Sequence, residues 1–122
     1  MSILVALVHD VPEFADAAAT ALRSSGCDVV LYTDSMTALN GIEAAQTAQT
    51  INVLVTRVSF PEGKPNGVSL ALVLRNKYPD LKVVFVAQAE QETYTEGIGE
   101  LVPHPVNLQH LIEAVERSVA VV

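Results

Sequence analysis

Ile51-Asn52-Val53-Leu54-Val55-Thr56-Arg57 is an apolar run of strand length that ends on a cation, with Pro61 four residues beyond it. A strand apolar on both parities has no solvent face, so it belongs inside a sheet covered on both sides. Working outward, similar runs recur at Ser2 to Val8, Asp28 to Tyr32, Lys82 to Ala87 and Glu100 to Val102. Val83, Val84, Phe85 and Val86 are apolar on consecutive positions and mark a central strand. Helical signals fill the gaps. Pro12 suits a first helical turn, Phe14, Ala17, Ala18, Ala21 and Leu22 form one apolar face, and Gly26 ends that helix. Asp34 or Ser35 can cap a second helix whose Ala38, Leu39, Ile42 and Ala45 share a face. Val68 to Lys77 reads as a third, stopping before Pro79. A weak, acidic helix spans about Glu90 to Glu96. Asn107 can cap the last, whose Leu108, Leu111, Ile112, Val115 and Val119 recur with helical spacing. Strands alternating with helices predict a doubly wound, five-stranded parallel sheet in a three-layer α/β/α sandwich. One domain over 1–122 is expected, because no repeat, linker or low-complexity segment interrupts the pattern.

Composition agrees with that size of core and narrows the function. The chain has 122 residues, half of them apolar, and a single cysteine, Cys27, so it folds without disulfides. It opens on an apolar strand with no basic leader, and no apolar run approaches the ~20 residues that span a bilayer. A cytoplasmic, membrane-independent protein is expected. Asp and Glu number 14 against 7 Lys and Arg, a net charge of -7 that repels a duplex phosphate backbone and counts against direct nucleic-acid binding. Between Lys82 and Arg117 there is no cation, while Glu90, Glu92, Glu96, Glu100, Glu113 and Glu116 lie inside the window. Such a run is either a solvated acidic surface or a docking face for a basic partner.

In a doubly wound sheet, ligands and reactive groups gather at the carboxyl ends of the strands, near the reversal of strand order. Those ends are His9-Asp10, Arg57, Ala87 and the stretch around His104. With these residues in view the chain resembles the receiver domain of two-component response regulators, over Ser2 to about Val119. The resemblance rests on the Ile-Leu-Val run followed by His9-Asp10-Val11-Pro12-Glu13, and on Asn52 to Arg57 with Pro61 and Asn66-Gly67. It continues through Val83-Val84-Phe85-Val86-Ala87-Gln88 and from Gly97 to His104-Pro105. A flavodoxin-like cofactor domain, of the same layered class, is the alternative.

The family implies an aspartate acceptor at the end of the third strand and two acidic residues after the first strand that hold magnesium. A Thr or Ser after the fourth strand and a Lys after the fifth contact the phosphoryl group. Each type has a physical reason: an oxyanion nucleophile, a hard cation, a hydroxyl donor and a fixed positive charge. Here the acceptor position is Arg57, the paired acids are His9 and Asp10, the hydroxyl position is Ala87, and the lysine position is His104. An arginine cannot accept a phosphoryl group, and its charge repels a metal that Asp10 alone under-coordinates. Arg57 is expected to pair with Asp10 instead, or to bind a small anion together with His104. His9 and His104 lack a third ligand at a recognisable spacing, so no metal or other cofactor is expected. No nucleophile has a visible base and orienting acid beside it, so no enzymatic activity is expected.

The aromatic residue that reports phosphorylation on the family's fifth strand is replaced by Leu101. The Pro61 to Gly67 segment is about two residues longer than the family's spacing, and His104-Pro105 is expected to keep the family's cis peptide. The resulting expectation is a degenerate, pseudo-receiver interaction module without an output domain. It would meet a protein partner, or a second copy, through its fourth helix, fifth strand and fifth helix, with Glu90, Glu92, Glu96 and Glu100 on the surface. The alternative is a domain that senses a small anion or nucleotide through Arg57 and His104.

Overall fold

The computed structural model describes residues 3–45, 50–60 and 66–120. The described strands are β1 (Leu4–Val8), β2 (Asp28–Tyr32), β3 (Val53–Arg57), β4 (Lys82–Ala87) and β5 (Glu100–Pro103), all parallel, in the order β2-β1-β3-β4-β5. Helices α1 (Pro12–Ser24) and α4 (Leu108–Ser118) cover one face, and α2 (Ser35–Ala45) and α3 (Gly67–Lys77) the other.

Strand alternation builds two cores. Val5, Leu7, Val53, Val55, Val84 and Val86 meet Ala18, Leu22, Leu111 and Val115, while Leu4, Ala6, Val8, Leu54, Val83 and Phe85 meet Ile42, Leu70 and Leu74. This two-sided burial is why β1, β3 and β4 read as unbroken apolar runs. The face of α1 differs from the expected one: Ala15, Ala18, Ala19 and Leu22 are buried, whereas Ala17 is exposed. Alanine gives too weak a signal to fix a helix's rotation, and the larger Leu22 decides it.

Side chains close several helix ends. Asp34 Oδ1 accepts from the Thr37 N–H at 2.9 Å, Asn66 Oδ1 from Ser69 at 2.8 Å, and Asn107 Oδ1 from His110 at 3.1 Å. Of the two candidates for capping α2, Asp34 therefore does so, and Ser35 begins the helix.

Two elements differ from expectation in ways that matter for the site. The third strand starts at Val53 rather than Ile51 and runs on to include Arg57, although Asn52 just before it already bonds to the neighbouring strand β1, its side chain accepting from the Leu4 N–H at 2.8 Å and its own N–H donating to the Leu4 carbonyl at 2.9 Å. The expected fourth helix is a 3-10 segment over Ala89–Tyr94 with no buried residue. Its sequence offers no apolar stripe, so packing cannot extend it into an α-helix. The His104–Pro105 peptide is cis, as the resemblance implies. Residues 61–65, including Pro61 and most of the lengthened segment, lie outside the described residues.

Candidate functional site

Register brings the expected residues to one end of the sheet. Val8 lies beside Thr56, Arg57 beside Val86, and Ala87 beside Pro103, so the carboxyl ends of β1, β3, β4 and β5 finish close to level. The order reverses between β1 and β3, and this is where the crevice of a doubly wound sheet forms. An open cleft of about 520 Å³ lies there, lined by His9, Val11, Arg57, Val58, Ala87, Gln88, Gln91, His104 and Pro105.

Arg57 follows Val53 and Val55 at period two, which directs its side chain to the α1 side of the sheet. There Nη1 donates to Asp10 Oδ1 at 2.6 Å, joining the ends of two adjacent strands. Among the described residues the guanidinium has no other hydrogen-bonded partner. The pair is half-buried, with side chains 32% and 24% exposed. Burial by itself pushes the Asp10 carboxyl up, but the hydrogen bond and charge of Arg57, with help from the backbone N–H and His9, hold it below the usual carboxylate range.

The backbone of Arg57 is as constrained as its side chain. Its carbonyl oxygen accepts from Thr56 Oγ1 at 3.1 Å, and a Cβ on Gly67 would stand only 1.6 Å from that oxygen. Gly67 also donates its N–H to the Val58 carbonyl at 2.8 Å. The first turn of α3 therefore rests directly on the end of β3, an approach that only glycine allows.

His9 shares the α1 side with Val5 and Leu7 and is 4% exposed. Its Nδ1 accepts from the Val11 N–H at 3.1 Å, which leaves the proton of the neutral ring on Nε2. That Nε2 is buried and has no hydrogen-bond partner among the described residues. Burial, reinforced by the Arg57 charge, lowers the His9 pKa from 6.5 to about 4 against the opposing pull of Asp10. Phe14 from α1 stands between the histidines, 4.4 Å from His9 and 6.2 Å, edge-on, from His104 by ring centroids. His104 is held by its backbone N–H, which donates to the Ala87 carbonyl at 2.9 Å.

His9, Arg57, Ala87, His104 and Pro105 thus line one cleft, and Asp10 is bonded to Arg57. Leu101 is not part of it. It lies beside Phe85 in the ladder and packs, half-buried, against the core on the α2 and α3 side. Sequence reasoning missed Gln88 and Gln91, one turn apart at the start of the 3-10 segment; Gln91 Nε2 donates to Ser59 Oγ at 3.1 Å. Their position directly after the β4 end was the available signal. No group of three or more His, Cys, Asp or Glu among the described residues is arranged to hold a metal.

No protein-family model matches the chain, and no curated protein matches it. Solved structures do. The chain is similar to a CheY-like response regulator receiver domain protein from Methanospirillum hungatei, with a TM-score of 0.80 and 19% identity over 96% of this chain and 93% of that one. A response regulator receiver domain protein from Clostridium thermocellum gives 0.82 at 17% identity, over 96% and 94% of the two chains. The chain has the receiver fold. The non-phosphorylated HemR receiver domain from Leptospira biflexa gives 0.80 at 21% identity, over 99% of this chain and 97% of its own. At these identities the likeness is one of backbone. The receiver fold places Arg57 at the end of its third strand and His104 just after its fifth.

The glutamates expected on a partner face separate into two groups. Glu100, at the start of β5, accepts from both Nε and Nη2 of Arg117, so the cation that bounds the acidic window in sequence folds back onto it. Glu90, Glu92 and Glu96 are exposed, and Tyr94 among them is 63% exposed.

Proposed function

We propose that this chain is a receiver-type signalling domain that has lost phosphoacceptor chemistry and acts as a phosphorylation-independent protein-interaction module. The observation that carries the reading is the 2.6 Å bond between Arg57 and Asp10. In the receiver pattern that pair of positions supplies an acceptor carboxylate and a metal ligand, and here they satisfy each other. Ala87 offers no hydroxyl and His104 no lysine ammonium, so restoring one residue does not restore the reaction.

The partner surface fits the 3-10 segment and the loop after it. Tyr94 is a large exposed aromatic of the kind that anchors interfaces, and Glu90, Glu92 and Glu96 surround it with negative charge suited to a basic partner. Glu100 contributes less, because Arg117 already neutralises it.

The test is incubation with acetyl phosphate and magnesium, read by intact mass, on the wild type and Arg57→Asp. No phosphoryl adduct is expected on either, and a stoichiometric adduct on the wild type overturns the reading. For the surface, reversing Glu90, Glu92 and Glu96 to lysine together should weaken a captured partner by about tenfold or more. Unchanged affinity would move the interface elsewhere.

A further inference from the structure

We propose that the cleft formed by His9, Arg57 and His104 is a binding site for a small organic monocarboxylate. This goes beyond the interaction role, since it needs no protein partner.

The guanidinium supplies the anchor. Asp10 takes one N–H, on Nη1, and the geometry is monodentate, so most of a planar fork of donors remains for an incoming oxyanion. A carboxylate matches such a fork with two parallel hydrogen bonds. His9 supplies an independent sign. Its Nε2–H is a buried donor without an acceptor, in a residue that lines the same cleft, and an unmade hydrogen bond of this kind is normally answered by a partner. Gln88 and His104 add polar groups at other points of the lining.

Charge sets the class of anion. Among the described residues, Arg57 and Asp10 sum to zero and His9 is kept neutral, and the chain as a whole carries -7, a balance that disfavours a phosphate dianion or a nucleotide. A monoanion meets the guanidinium with the least opposition from Asp10. Apart from Gln91, whose amide is bonded to Ser59, the rest of the lining is apolar: Val11, 40% exposed, with Val58, Ala87 and Pro105. That surface fits a short hydrocarbon body behind the carboxylate, and an aqueous ion has no use for it.

The experiment is an NMR titration of the whole protein with sodium butyrate, sodium phosphate and sodium chloride at matched ionic strength, following backbone amides and the Arg57 Nε–H. Butyrate should give saturable shifts at Arg57, Val58, Ala87, Gln88 and His104, with a Kd on the order of 1 mM for so small a ligand. Arg57→Gln should weaken it about tenfold or more, and Arg57→Lys, which keeps the charge and loses the fork, should weaken it too. The amide spectrum of each variant reports whether it is folded. Butyrate shifts that stay linear and equal those of chloride would overturn the proposal, as would butyrate binding equally well to a folded Arg57→Gln. Phosphate binding as tightly as butyrate would overturn the assignment to monocarboxylates.

Discussion

His9 should make this protein acid-sensitive well above the range in which carboxylates titrate. Its pKa falls from 6.5 to about 4 on folding, chiefly by burial and then by the Arg57 charge. A depressed folded pKa means that the unfolded chain takes up the proton first as pH drops. The histidine is neutral in both states above 6.5, so nothing is lost there; between 6.5 and about 4 only the unfolded state gains a proton, and stability declines throughout that window. At about 1.4 kcal/mol per pH unit, the gap between 6.5 and about 4 is worth about 3 kcal/mol, of which about 2 kcal/mol is lost between pH 7 and pH 5. His9→Asn removes the titrating ring while keeping a side-chain acceptor close to the Val11 N–H. Urea unfolding of both proteins at pH 7, 6 and 5, followed by far-ultraviolet circular dichroism, isolates the contribution of His9, because every other group is common to the two proteins. The wild type should lose about 2 kcal/mol more than the variant over that range, whatever constant penalty the substitution carries. Parallel loss in the two proteins would refute the claim that His9 is held neutral in the fold.

Other consequences follow from the same contacts. Arg57→Gln should raise the pKa of both His9 and Asp10 in an NMR pH titration, because it removes a positive charge that lowers each. It should cost about 2 kcal/mol in urea unfolding at pH 7, between the small value of an exposed pair and the about 3–5 kcal/mol of a fully buried one. Gly67→Ala should destabilise by more than about 3 kcal/mol or prevent folding, since its Cβ meets the Arg57 carbonyl at 1.6 Å and backbone cannot move aside. Gly26→Ala is the control: its φ of 104° disfavours a side chain, but nothing lies within 4 Å, so about 1–2 kcal/mol is expected from thermal or urea unfolding.

The sheet was legible because its strands are buried on both faces, and a run such as Val83 to Val86 has few other readings. The pairing of Arg57 with Asp10 was legible as chemistry, since two unlike charges at neighbouring strand ends have an obvious partner in each other. Three things were not. The rotation of α1 depended on alanines whose transfer energies barely differ, so Ala17 was placed inside when it lies outside. The 3-10 segment depended on the absence of packing, which a sequence shows only as weak periodicity. Arg117 folding back to Glu100 is a contact across 17 positions between a strand and the end of the last helix, and no local spacing encodes it. That contact narrows the acidic surface from four candidate glutamates to Glu90, Glu92 and Glu96.

Charge accounting separates the two surfaces that the fold exposes. At the strand ends the charges of Arg57 and Asp10 cancel and His9 is held neutral, within a chain of -7. The 3-10 segment meets the rim of that cleft through Gln88, just before it, and Gln91, both uncharged, while Glu90 and Glu92 beside them do not line the cleft. Raising salt screens interactions of exposed charges beyond about 10 Å at 0.1 M, so docking of a basic partner at Glu90, Glu92 and Glu96 should weaken steeply as salt is added. A ligand held by the Arg57 fork, over a short distance in a partly buried site, should weaken far less. The two salt dependences can therefore be measured on one protein, and a cleft ligand that weakens as steeply with salt as the basic partner would refute a short-range hold by the Arg57 fork.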